Sequence, residues 1–290
     1  MRYCVRHSST LTYAAPVERA RFNLRLKPRP RAGQQLVSES LTLLPEPQMR
    51  EDQLGPYWVK ATQIGFGSAI KKLKVKSEFV MDVTASEAPS YGPSLTNLRA
   101  EALDARDLSE LAPAPYMYAS RIAVLDTEIA RWGAAHLHPA HNAMEAGMNL
   151  MRALYEQFTY APGKTNSATP PQEAFAKRHG VCQDFAHVMI IALRAAGVPA
   201  AYVSGYLLTL PPPGKPKLIG ADAMHAWVDI WCGRELGWVG FDPTNNCLVS
   251  DSHIPIAMGR DYADVSPISG TFIGSAPQTM TSAVDVRPIE

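Results

Sequence analysis

The hydrophobic rhythm of the chain changes about a third of the way along. In residues 73–83, Leu73, Val75, Phe79, Met81 and Val83 face one way, while Lys74, Lys76, Glu78 and Asp82 face the other. That period of two is the signature of a half-buried strand. Similar runs near 2–13, 22–27, 35–44 and 57–66 are separated by Pro and Gly clusters, which predicts an all-β sandwich over residues 1–85. Pro89, Pro93, Pro113 and Pro115 interrupt residues 86–119, which read as a linker wrapped over the surface with a short helix near 98–111.

From about residue 120 a helical spacing takes over, with a first helix near 121–132. Met144, Met148, Met151, Tyr155 and Phe158 fall at i, i+4, i+7, i+11 and i+14 and predict a helix packed on the core. Val181, Phe185, Val188, Met189, Ala192 and Ala196 give a second, over 181–196, stopped by Gly197 and Pro199. Alternation then returns at 201–210, 223–231 and 236–242, with closing strands that include 281–286. The loop Pro211-Pro212-Pro213-Gly214-Lys215-Pro216 is expected to be mobile. The expected fold class is α+β: a sandwich at 1–85, a linker at 86–119 and a core at 120–290 that carries the closing strands.

The chemistry sits where these patterns meet. Cys182 falls in the first turn of the helix at 181–196, where unpaired N–H groups and a partial positive charge favour a thiolate. The same N–H groups could hold an oxyanion. Such a cysteine still needs a base and an orienting group. In 223–231, His225, Trp227, Asp229 and Trp231 share a face; in 236–242, Trp238, Gly240 and Asp242 share one. If Cys232-Gly233-Arg234-Glu235 closes a hairpin, Trp231 pairs with Leu236 and His225 sits opposite Asp242, within reach of one hydrogen bond. A one-residue slip would break the pairing. The pattern reads as Cys182 nucleophile, His225 base and Asp242 orienter. Against it stands the plain alternative of a buried structural cysteine and a satisfied histidine.

Composition narrows the classes. The chain has 290 residues and a formal net charge of +1, so its total charge points to neither nucleic acid nor a membrane surface. Neither a signal-like apolar run near the start nor a stretch of about 18 apolar residues is seen. The four cysteines, Cys4, Cys182, Cys232 and Cys247, form no CxxC pair, which fits a reducing cytoplasm rather than a disulfide scaffold or zinc ribbon. Arg25, Lys27, Arg29 and Arg31 form a basic run, read as a solvated strand edge that discourages edge pairing. His136, His138 and His141 crowd together, yet Pro139 breaks regular geometry and no supporting ligand lies near, so a polar lead-in to a helix is expected. His187 lies five residues past Cys182, outside i+3 or i+4, and is rejected as the base. Asp184 is taken as structural. Arg260, Asp261 and Tyr262 are expected to brace the core.

Several stretches also resemble one family. Gly180-Val181-Cys182-Gln183-Asp184-Phe185-Ala186-His187, Leu193-Arg194-Ala195-Ala196-Gly197-Val198-Pro199-Ala200, Val203-Ser204-Gly205-Tyr206, His225-Ala226-Trp227-Val228 and Gly237-Trp238-Val239-Gly240-Phe241-Asp242-Pro243-Thr244 occur in the order seen in the transglutaminase-like superfamily. They resemble in particular its bacterial subgroup of candidate cysteine proteases. Residues 18–30 resemble that subgroup's N-terminal region, and 259–267 its C-terminal segment. The resemblance implies a papain-like core with the catalytic residues at Cys182, His225 and Asp242, acting on amides through a thioester. It implies a peptide or protein substrate, and no metal or other cofactor is expected. In the wider superfamily an aromatic residue upstream of the cysteine can donate to the oxyanion. Tyr160 could take that place here, although core packing is the expectation. Calcium-dependent animal transglutaminases carry Trp directly after the cysteine; Gln183 stands there, which favours hydrolysis over cross-linking. A non-catalytic binding scaffold is the remaining alternative.

Overall fold

The computed structural model describes residues 1–84, 91–107, 109–209 and 222–289; the loop at 211–216 lies outside them. The N-terminal strands are β1 (Arg2–Val17), β2 (Arg19–Leu24), β3 (Gln34–Leu44), β4 (Met49–Leu54), β5 (Lys60–Phe66) and β6 (Ile70–Val83). Helices α1 (Leu95–Asp104), α2 (Thr127–Ala134) and α3 (Ala143–Gln157) follow, then β7 (Thr159–Tyr160), α4 (Pro171–Lys177), β8 (His179–Gly180) and α5 (Cys182–Ala195). The remaining elements are β9 (Ala200–Leu207), β10 (Met224–Trp231), β11 (Trp238–Asp242), β12 (Cys247–Leu248), β13 (His253–Gly259), α6 (Tyr262–Val265), β14 (Ile268–Ile273) and β15 (Gln278–Ile289).

The fold is α+β, as the two rhythms predict. One four-stranded antiparallel sheet runs β15-β1-β6-β3 and a second runs β14-β2-β5-β4. Leu11, Tyr13, Phe22, Leu24, Ile64, Phe66, Leu73 and Val75 from both sheets bury one core. The closing strands join the N-terminal sheets rather than the central one, while Val284 and Val286 of β15 pack on Tyr206, Ile254 and Ile256 of β9 and β13. β15 pairs along β1, with Arg2 opposite Ile289 and Tyr13 opposite Gln278, and β14 pairs along β2. Each C-terminal strand adds a fourth to a sheet of three N-terminal ones. β4 was not predicted from pattern, because all six of its residues are exposed and nothing alternates.

β1 is long enough to serve two cores. Its inward face reads Tyr3, Val5, His7, Ser9, Leu11 and Tyr13, all buried. Leu11 and Tyr13 belong to the sandwich, whereas Tyr3 and Val5 pack with Tyr206, Ile254 and Ile256 of β9 and β13. The polar pair lies at the seam. There His7 Nδ1 meets Tyr206 Oη at 2.8 Å and His7 Nε2 meets Ser9 Oγ at 2.8 Å, so both ring nitrogens are satisfied.

The basic run is not a solvated edge. Lys27 pairs with Asp52, Arg29 makes two 2.7 Å bonds to Glu110, and Arg31 reaches the buried Asp229 at 3.4 Å. Arg29 and Arg31 also lie over the Trp58 ring. These cations tie the loop after β2 to the rest of the molecule, and the charges are used up in contacts that alternation alone does not reveal.

The central sheet, in the order β12-β11-β10-β9-β13, is antiparallel throughout. Ala226, Val228, Ile230 and Phe241 bury one of its faces in a cluster with Phe185, Val188, Met189 and Ala192 of α5. On α3 the predicted stripe is partly wrong. Met144, Met151, Leu150 and Leu154 are buried, but Met148 is 38% exposed and Tyr155 51%. Ala143, Ala146 and Gly147 turn the buried face away from those two, because small residues allow closer packing than the larger ones. Arg194 of α5 is buried and donates to the carbonyls of Ala200 and Arg260, and Asp261 accepts the N–H of Ile122. Asp261 and its neighbours thus brace the core, as expected.

Candidate active site

α5 starts abruptly. Val181 is its N-cap and has no polar side chain, so the cap is made from inside the helix: the Asp184 carboxylate accepts the Val181 N–H at 2.8 Å and the Thr165 hydroxyl at 2.6 Å. Asp184 is thereby turned back toward the N-cap and serves structure, as expected. Gly180 makes room for it, since a Cβ there would lie 2.5 Å from Asp184 Oδ2. The result is a half-buried Cys182 in the first helical turn.

β10 carries His225 at its start and β11 carries Asp242 at its end. The hairpin register differs from the expectation: Trp231 pairs with Trp238, not Leu236. The connection runs from Cys232 to Gly237, and Gly233 and Gly237 both take positive φ (97° and 65°), so a second glycine lengthens the turn. Continuing that register puts Asp242 across from Trp227, diagonal to His225. A shift of two residues keeps every side chain on its face, so the contact survives. His225 Nε2 lies 2.7 Å from Asp242 Oδ2.

Asp242 is fully buried and has five hydrogen-bond partners. Oδ1 accepts the N–H groups of Thr244 (3.0 Å) and Asn245 (3.2 Å). Oδ2 accepts Asn245 Nδ2 (2.7 Å), His225 Nε2 and His253 Nε2 (3.2 Å). Burial alone would raise its affinity for a proton, but the bonds to His225, His253 and Asn245 and the imidazole charge outweigh it, holding the carboxyl well below its usual range. Burial pushes His225 down, but the hydrogen bonds and charges of Asp242 and Cys182 carry it up to about 10. Cys182 lies close enough to His225 to add to that rise. With Nε2 committed to Asp242, the nitrogen left for the sulfur is Nδ1. His225 of β10 and Asp242 of β11 are thus in direct contact, and Cys182 of α5 lies within the electrostatic reach of that ring.

Tyr160 is not in the core: it is 53% exposed and pairs with Gly180 through the short β7–β8 bridge. Its phenol is pushed up by burial of part of the ring and by the charge of Cys182, so it lies within the electrostatic reach of the sulfur. His187 is fully buried, accepts the Tyr262 N–H at 3.2 Å and stacks beside Tyr202, far from a base's role. His138 and His141 accept backbone N–H groups of their own turn through Nδ1, and His136 packs on Trp132. These three histidines form the polar lead-in to α3.

Two neighbours of Asp242 were missed. Asn245 reads as a turn residue, and its side chain folds back onto the carboxylate three positions away. His253 comes from β13 and has no local pattern that points to Asp242; only the packing of β13 beside β9 delivers it. His225, Asp242 and His253 offer donor atoms within 4.8 Å of one another, a set that a transition metal can use. Both Nε2 atoms are already committed to Oδ2, so a metal would have to displace the imidazole–carboxylate bonds.

Comparison with known proteins accords with this geometry. Residues 132–243 match the transglutaminase-like superfamily core, and residues 3–82 match the bacterial transglutaminase-like N-terminal region. An uncharacterised protein of Mycobacterium tuberculosis is 35% identical over all of this chain and 93% of its own length. A protein-glutamine gamma-glutamyltransferase of Pseudomonas aeruginosa is 38% identical over 113 residues, 38% of this chain and 16% of that protein. The crystal structure of a candidate cysteine protease from Cytophaga hutchinsonii superposes with a TM-score of 0.74 at 21% identity, covering all of this chain and 92% of that one. Among the described residues no helix is long and apolar enough to cross a membrane. The chain belongs to the transglutaminase-like superfamily and carries the N-terminal region of its bacterial branch.

Proposed function

We propose that the protein is a thiol-dependent acyl-transfer enzyme that hydrolyses an amide of a peptide or protein. The observation that carries this reading is an imidazole tied to a fully buried carboxylate, with a half-buried sulfur at a helix N-terminus within its electrostatic reach. Cys182 as thiolate attacks the amide carbonyl carbon. The first-turn N–H groups of α5 face the oxygen that gains charge, and the Tyr160 hydroxyl is a second candidate donor. As the C–N bond breaks, the His225 imidazolium gives its proton to the leaving amine, and a thioester remains on Cys182. Water then attacks the thioester, His225 takes its proton, and the carboxylic acid leaves as the thiolate returns. Asp242 holds the ring and stabilises its charged form throughout.

Transfer to an amine instead of water is the second reading. The 113-residue likeness to a protein-glutamine gamma-glutamyltransferase favours it, and Gln183 beside Cys182 counts against it. Neither step needs a residue that the other lacks. Cell lysate treated with wild type and with Cys182→Ser, followed by mass spectrometry, separates the two: newly cleaved amides support hydrolysis, and new isopeptide cross-links support transfer. A thiol-directed probe should label Cys182 selectively among the four cysteines and lose that selectivity in His225→Ala. Equal labelling in both would sink the enzyme reading and favour a binding scaffold. The four free cysteines support placement in a reducing cytoplasm, checked by fractionation of the native host.

A further inference from the structure

We infer that His253 is a positioning residue, which aims the Asp242 carboxylate at His225 without neutralising it; this rests on the acyl-transfer reading above. His253 is buried at the start of β13. Its Nδ1 accepts the Ser250 N–H at 3.3 Å, and the Ser252 hydroxyl lies at the same distance. An acceptor at Nδ1 puts the ring proton on Nε2. Nε2–H therefore donates to Asp242 Oδ2 at 3.2 Å, the oxygen that also binds His225. The ring itself is pinned edge-on against Trp227, with centroids 5.3 Å apart.

This arrangement does something that a charged neighbour would not. A cation at that position would pair with Asp242 and weaken its hold on the His225 imidazolium. A neutral N–H fixes the direction of Oδ2 and leaves the negative charge in place. The ring also lines a cavity of about 420 Å³, together with Arg31, Trp227, Asp229 and Trp238. It stands between that space and a carboxylate that no solvent reaches. The titratable groups that face the carboxylate are His225 on β10, His253 on β13 and Cys247 on β12, whose thiol is pushed up by burial and by the Asp242 charge. Cys182 on α5 acts on His225 rather than on the carboxylate.

The test is an NMR titration of the ¹⁵N-labelled histidine rings in the full chain, which needs no substrate. In wild type, His253 should show the Nε2–H tautomer with a slowly exchanging ring proton; the opposite tautomer would overturn the inference without any variant. In His253→Leu and His253→Phe the oxygen loses the anchor that aims it, and the His225 midpoint should fall by about one pH unit; a rise, expected when a competing donor is removed from an oxygen that keeps its place, overturns the inference. His253→Gln, which keeps a donor, should restore most of that fall. An unchanged midpoint in a folded Leu or Phe variant, or a Gln variant that behaves like Leu, overturns it. Asp242→Asn serves as the reference. If it lowers the His225 midpoint and the His253 variants do not, this inference alone fails. If Asp242→Asn also leaves His225 unmoved, the acyl-transfer reading fails with it.

Discussion

At the scale of single residues, the candidate site centres on one imidazole, bonded to Asp242 and within the electrostatic reach of Cys182. With Asp242 and Cys182 carrying the His225 pKa up to about 10, the proton-donating step of the proposed mechanism should persist well into alkaline solution. The rate of amide cleavage is expected to fall through pH 10 as His225 loses its proton. Asp242→Asn removes the charge that raises His225, so the alkaline edge should move down toward the ordinary histidine range, about 6.5. With the ring no longer held, kcat should fall by about 10³–10⁴-fold. A pH–rate profile of both proteins on one peptide amide measures both effects. Two buried histidines outside the candidate site, His7 and His187, work in the opposite sense. Burial lowers His7 and His187 to about 4. Between pH 6.5 and 4 the unfolded chain binds more protons than the folded one, so stability is lost as pH falls through that window. Each group can contribute about 3 kcal/mol to the loss. Urea unfolding of wild type and His187→Gln at pH 7 and pH 4.5 should show a shallower acid loss in the variant.

At the scale of elements, the sequence was most readable where face and period agree, and least where contacts are diagonal or come from far away. The first turn of α5 was legible because Cys182 precedes a strong apolar period. The pairing of His225 with Asp242 was legible as a shared face, yet not as a register. The alternation of β10 and β11 fixes parity, whereas the turn decides which same-face residue comes nearest. Gly237, the second positive-φ glycine, was the signal that the turn is longer. The exposed side of α3 was misjudged because large apolar residues were weighed and the small ones beside them were not. His253 could not be found this way, since β13 reaches the site through its pairing with β9. An element-scale prediction follows from the start of α5. Gly180→Ala forces a Cβ into the Asp184 carboxylate, which should disturb the cap and cost about 1–3 kcal/mol. The melting temperature should drop, and Cys182 should label more slowly even in the folded fraction. An unchanged melting curve would show that Asp184 is not needed to set the helix.

At the scale of the whole molecule, the two ends of the described chain complete one another. β14 and β15 occupy edges of the two N-terminal sheets, and β1 packs on both the sandwich and the central sheet. Residues 1–85 alone therefore leave β1 and β2 without one neighbour each, and the boundary expected near residue 85 separates sequence patterns better than it separates contacts. Removing residues 268–290 should expose the backbone edges of β1 and β2 and the apolar residues beneath them. The shortened protein is expected to associate and to lose its cooperative unfolding transition, as followed by light scattering and circular dichroism. A monomer with the wild-type transition would mean that the sandwich stands without its last strands.

The pairing of Arg2 with Ile289 also sets a schedule for biosynthesis. A nascent chain leaves the ribosome N-terminus first, so β1 waits, with one flank open, until almost all of the remaining described polypeptide has been made. Contacts so distant along the chain slow folding and leave partly assembled species liable to stick. The sandwich should therefore close late, after translation has passed residue 289, and its yield in a cell should respond to chaperone supply more than its thermodynamic stability would suggest.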